Sequence, residues 1–293
     1  MAAGKNPRRP TGRTATVSAS KPATAKKATA KKAAPPKAAP PKAARTKEAL
    51  TLAQAMRELE QAGSAQTRKT YARHGAAEPM FGVSFATLKA LTKRIGTDHD
   101  LAVALWDTGN FDARNLAVKV VDPLRMSPTD LDRWVRSVSP SRMCGGYAAM
   151  LAAEGPYGAA KLDEWLAAED LPARTAGWTL LGQLAMRDES IADAEFERWL
   201  TAIERGIDAA PNAEREVMNH AVIAIGCRSA GLRKAALTAA KRIGKVEIDH
   251  GDTACKTPDA AMSIDKAWAH AKSKGFASPA AQERTRATPR LRC

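Results

Sequence analysis

Short segments with apolar residues at helical spacing follow one another in pairs along this chain, and that recurrence constrains the fold more than any single motif. One set of helices begins near residues 98, 128, 157 and 193, and the other near 111, 141, 172 and 212. A pair therefore returns every 30 to 40 residues. Neither member can bury its apolar face alone, so successive pairs must stack. The boundaries are marked by capping chemistry. Ser64 and Ser84 stand where N-caps are needed, and Gly75 and Gly96 where helices stop. Ser127-Pro128-Thr129-Asp130 supplies a cap, a first-turn proline and an acid three residues after the cap. Further helices are expected at Lys47–Gln61 before the pairs, and at Leu232–Ile243 and Pro258–Ala271 after them.

The expected fold is all-α: an α-solenoid of antiparallel helix pairs close to HEAT or armadillo geometry, spanning residues 47–275, with an irregular bundle as the competing architecture. Abundant alanine and few β-branched runs agree with helices. No apolar run approaches the ~20 residues of a membrane helix, so a soluble protein is expected. The start, MAAGKNPRRP, lacks the apolar stretch of a secretory signal. Cys144, Cys227, Cys255 and Cys293 lie far apart with no CxxC pair, and read as reduced cytoplasmic thiols.

The formal charge of +15 is unevenly placed. Residues 1–46 hold twelve Lys or Arg and no acid, leaving +3 for everything after them. This Lys/Ala/Pro-rich stretch has little to bury and is expected to be a disordered basic tail. As a polycation it would bind phosphates without reading sequence; the alternative is a solubilising spacer. Residues 276–293, with Arg284, Arg286, Arg290 and Arg292, read as a second disordered basic tail.

In a stack of pairs, one set of helices lines the concave side. Here that inner set carries Arg114, Arg142, Arg174 and Arg215 near its helix starts, with Asn219, His220 and Arg228 further along. The outer set is rich in acids, among them Asp98, Asp130, Asp163, Asp193 and Glu197. A basic groove backed by an acidic shell would suit duplex DNA. Arg174 and Trp178 lie four apart on one helix face, a pairing that fits nucleic acid, though a core tryptophan beside a solvated arginine explains it too. Arginines at helix starts can equally pair with neighbouring acids. Asp249, His250, Asp252 and Cys255 match no zinc spacing, so no metal is expected. No Walker loop, GxGxxG, HExxH or GxSxG pattern occurs, and no cofactor is expected.

Tyr71–Val83 leading into Ser84–Leu88, the pair Leu105-Trp106, and Arg174-Thr175-Ala176 before Leu180-Leu181-Gly182-Gln183-Leu184 together resemble the AlkD-like DNA alkylation repair proteins. Those are HEAT-like-repeat DNA glycosylases that remove cationic alkylpurines. The resemblance covers roughly Leu50–Gly244. It implies chemistry carried by an inner-helix Trp, an Asp four residues later, an Arg on the next inner helix and a further Trp. Arg174 matches the arginine. The helix at Ser141–Met150 has neither Trp nor Asp, and Tyr147 falls about where the acid would be; the later Trp is missing from Ala221–Gly226. Arg174 and Tyr147 are therefore the candidate catalytic positions, with Asp112 or Glu216 as substitute acids. One reading is excision of N3- or N7-alkylated purines by a monomer in the cytoplasm, against the nucleoid. Another is non-catalytic binding of distorted or branched duplex, and a third is a protein-binding scaffold.

Overall fold

The computed structural model describes residues 50–137 and 144–292. The chain divides into Met1–Lys47 and Glu48–Cys293, and only the second unit is described. The expected N-terminal tail and Arg142 thus lie outside the described residues.

Fourteen α-helices and no strand make up the described residues. A cap of three helices comes first: α1 (Leu52–Gln61), α2 (Ala65–Arg73) and α3 (Phe85–Ile95). Five pairs follow, each an outer then an inner helix: α4 (His99–Asp107) with α5 (Phe111–Val120), α6 (Pro128–Arg136) with α7 (Cys144–Glu154), and α8 (Gly158–Leu166) with α9 (Leu171–Arg187). The last two pairs are α10 (Asp193–Gly206) with α11 (Asn212–Gly226), and α12 (Ala230–Ile243) with α13 (Ala260–Ser273). Inner helices stack in the order α5, α7, α9, α11, α13. This is the solenoid that the spacing predicts.

The caps act as the sequence indicates. Ser64, Ser84, Ser127 and Asp170 each accept a hydrogen bond from the third backbone N–H of their helix. The first helix differs from expectation by starting at Leu52, because Thr51 and Gln54 form a reciprocal capping box. Between outer helices, Trp106 of α4 and Trp134 of α6 stack flat, with centroids 4.1 Å apart. Lys161, almost fully buried on α8, donates to Asp132 of α6 at 2.7 Å, and Trp165 Nε1 donates to the same carboxylate. Gly177 lets α9 approach α8 closely, since a Cβ there would sit 2.8 Å from Leu166 Cδ2. Asp112, fully buried at the start of α5, accepts the backbone N–H groups of Phe81, Gly82 and Val83 and so fixes the loop before α3 to the first inner helix.

The C-terminal segment corrects the sequence reading. Residues 276–292 are not a solvated tail, and the folded unit runs past 275. They form α14 (Pro279–Arg284) and a 3-10 turn (Pro289–Leu291) along the ends of the inner helices. The N–H of Ala280 donates to Cys227 O at the end of α11. Arg284 reaches Met186 O, and Arg187 pairs with Glu283, at the end of α9. Arg290, nearly buried, donates to Glu154 of α7 at 2.7 Å and to the carbonyls of Val118 and Lys119 on α5, while Lys119 Nζ donates back to Arg290 O. Helix C-termini present unsatisfied carbonyls and partial negative charge, and these arginines satisfy both.

Candidate nucleic-acid interface

The inner faces of α7, α9 and α11 line a groove of about 580 Å³. Gly146 and Met150 come from α7, and a stripe of Thr175, Thr179, Gln183 and Met186 from α9, opposite its Leu180/Leu181/Leu184 core face. Glu216, Val217 and His220 come from α11, Asp249, His250 and Thr253 from the loop after α12, and Arg73 with His74 from the end of α2. Asp170 caps α9 beside this groove. Burial pushes its carboxyl up, but the N–H of Ala173 and the Arg136 guanidinium outweigh that and hold it below the usual carboxylate range.

Most of the arginine row turns away from this surface. Arg114, Arg174 and Arg215 are each the fourth residue of their inner helix. Each reaches back to carbonyls at or just past the end of the outer helix of its own pair, and Arg114 and Arg215 also reach one past the outer helix of the next pair. Arg114 donates to Trp106 O and to Ser137 O, with its guanidinium 5.2 Å from the Trp106 ring centre. Arg174 donates to Ala168 O and Glu169 O. Arg215 donates to the carbonyls of Ile207, Asp208, Ala210 and Glu247. The planar fork suits several carbonyls at once, so the row is a brace repeated in three of the pairs. Arg228 also braces: its side chain is 8% exposed, donates to Ala185 O, Asp188 O and Ile191 O, pairs with Asp193 and covers the Phe196 ring. Asn219 is buried and donates to Pro258 O.

Of the sequence candidates, Trp178 and His220 do line the groove. Trp178 forms its floor, with the ring edge-on to Trp199 and Nε1 donating to Glu214 Oε1 at 3.0 Å. The same nearly buried carboxylate accepts from Arg174 Nε, which joins α9 to α11. Tyr147 sits against Lys119, whose Nζ lies 4.7 Å from its ring centre, and is not among the groove-lining residues. Asp112 is enclosed by the three N–H groups of the 81–83 loop, which rules it out as a substitute acid, whereas Glu216 is in the groove. Sequence reasoning missed Glu214 and the 175/179/183 stripe. The stripe was findable as polar residues four apart on an otherwise apolar helix.

A family model described as DNA alkylation repair enzyme matches residues 55–261, most of the solenoid. The chain belongs to the DNA alkylation repair enzyme family. Among relatives, uncharacterised proteins of Listeria innocua and Listeria monocytogenes are each 26% identical, over 225 and 232 residues; each alignment covers 74% of this chain and 97% of the relative. A solved structure described as a new family of proteins related to the HEAT-like repeat DNA glycosylases, with affinity for branched DNA structures, is 28% identical with a TM-score of 0.68. It covers 77% of this chain and 95% of its own. Among the described residues, α7 gives the groove Gly146 and Met150 and no acid.

Proposed function

We propose that this protein binds distorted or branched duplex DNA across the α7–α9–α11 groove as a monomer, without excising the base, and that it works in the cytoplasm against the nucleoid. The observation that carries the reading is the state of Arg174. The one residue that matches the family's reactive set is engaged by Glu214 and by two helix-end carbonyls, and α7 contributes no carboxylate beside it. Excision of a cationic purine needs negative charge next to the sugar as oxocarbenium character develops. Shape recognition needs a groove, polar side chains and backbone contact, which the stripe on α9 and the basic N-terminal sequence supply. The relative with affinity for branched DNA supports the same reading.

The test pairs two measurements on the purified full-length chain. Anisotropy titrations against a four-way junction and a linear duplex of equal length are expected to show binding of both, with the junction favoured at least about fivefold, about 1 kcal/mol. Methylated duplex with protein in excess is expected to release N3- and N7-methylpurine no faster than the spontaneous reaction. A single-turnover burst of released base would replace this reading with excision, and Glu216 would then be the first acid to test.

A further inference from the structure

The arginines near the starts of α5, α9 and α11 are engaged internally, but five of the six cations on α2 and α3 make no ion pair among the described residues. Residues 62–97 hold Arg68, Lys69, Arg73, Lys89, Lys93 and Arg94 against a single acid, Glu78. That is net +5, in a body that otherwise nets −2 after residue 46. Arg94 pairs with Glu58, and Glu78 accepts from the N–H of Met80 in its own loop. Arg68, Lys69, Arg73, Lys89 and Lys93 are all exposed and make no ion pair among the described residues. The contrast with Arg114, Arg174, Arg215 and Arg228 is sharp.

The helical register sets these charges in one row on each helix. Lys69 and Arg73 are four apart on α2, so they share one face. Phe85, Lys89 and Lys93 are four apart in turn on α3, and the Phe85 ring lies 5.8 Å from that of Tyr71 on α2. The two basic rows therefore stand on adjacent helices. One of them ends at the groove, because Arg73 and His74 line it. Arg73 and Lys93 lie in the last turns of their helices, where a cation complements the helix dipole, but like charges on neighbouring exposed helices also repel one another. A polyanion laid across them would relieve that repulsion and release counterions.

We infer that Arg68, Lys69, Arg73, Lys89 and Lys93 form a phosphate-binding wall at the α2 side of the groove, holding the backbone of the nucleic acid whose body the groove accepts. This rests on the reading of the groove as a DNA site and adds the residues that grip the backbone. Such contacts fix position and orientation and are indifferent to sequence.

The experiment is a salt series of anisotropy titrations on the full-length chain, with the four-way junction and the linear duplex as probes. A five-site variant (Arg68→Gln, Lys69→Gln, Arg73→Gln, Lys89→Gln, Lys93→Gln) is compared with a control that changes Lys234→Gln and Lys241→Gln on α12. Each phosphate contact contributes about 0.9 to the slope of log K against log salt. The five-site variant is expected to lose about 2 to 4 of that slope and at least tenfold in affinity for both probes, and the control less than twofold. An α2-only variant, with Arg68, Lys69 and Arg73 changed, is expected to show about half the effect and guards against a folding failure. Unchanged slope in both variants overturns the inference. So does loss of binding to phosphatidylserine vesicles with DNA binding intact, which would make the patch a membrane surface. A parent chain that binds neither DNA probe at low salt ends the DNA reading and this wall together; a parent that binds beside unaffected variants ends the wall alone.

Discussion

Asp112→Asn separates a structural carboxylate from a catalytic one. In the parent, Oδ2 accepts from Phe81 N at 2.7 Å and Gly82 N at 2.9 Å, and Oδ1 accepts from Val83 N at 2.8 Å, the last two buried. An asparagine can turn its oxygen toward only one side. Facing Phe81 and Gly82, it keeps two bonds as neutral ones and sets an NH₂ against the N–H of Val83. An orphaned buried donor costs about 1–3 kcal/mol, and two bonds that lose their charged acceptor weaken by about 0.5–1 kcal/mol each. The sum, about 2–5 kcal/mol, corresponds to a fall in melting temperature of roughly 5–15 °C for a domain of this size. Helical circular dichroism on heating measures it, with Glu60→Gln, an exposed acid on α1, expected to stay within about 1 °C. A shift below about 2 °C for Asp112→Asn would refute the argument. If base release were measurable in the parent and disappeared in a variant of normal stability, Asp112 would be catalytic after all.

Two further outcomes follow from buried groups. Glu214→Gln keeps one acceptor for Arg174 Nε or Trp178 Nε1 but removes the charge. Because Arg174 is about a quarter exposed, a loss of about 1–3 kcal/mol is expected, read by heating and by a change in tryptophan emission; a melting temperature equal to the parent's would show that the pair does not join α9 to α11. Burial pushes the Cys227 thiol from 9.0 up to about 11, so the folded chain holds that proton after the unfolded chain has released it. The stabilisation is full below about pH 9 and is lost as pH rises through about 11, amounting to about 2–3 kcal/mol. Denaturant titrations across that window should show a flatter decline for Cys227→Ala than for the parent, and parallel declines would contradict the assignment.

The helices and their pairing were legible because their signals are local. Ser127, Pro128 and Asp130 mark a helix start within four residues, and Leu180, Leu181 and Leu184 mark a buried face within two turns. The site was less legible because its partners are distant. Arg174 looks the same in sequence whether it meets solvent or Glu214 forty residues on, and Arg290 gives no sign of Glu154, 136 residues earlier. A clue did exist in the arginine row. A residue that returns at the fourth position of helix after helix fits something every repeat needs, and here that is packing against the end of the outer helix. The basic cap on α2 and α3 was hidden differently, since its charges were averaged into a nearly neutral body.

The C-terminal segment changes the mechanics of the whole stack. A solenoid without cross-links behaves like a column of storeys, each resting on the next, and can bend or melt one storey at a time. Here a single stretch of chain runs down one edge and is fastened in turn to α11, α9, α7 and α5. A strain applied at the groove beside α11 is therefore carried to α5 through a second route. Four of the five inner helices are thus coupled along that edge as well as through their own stacking.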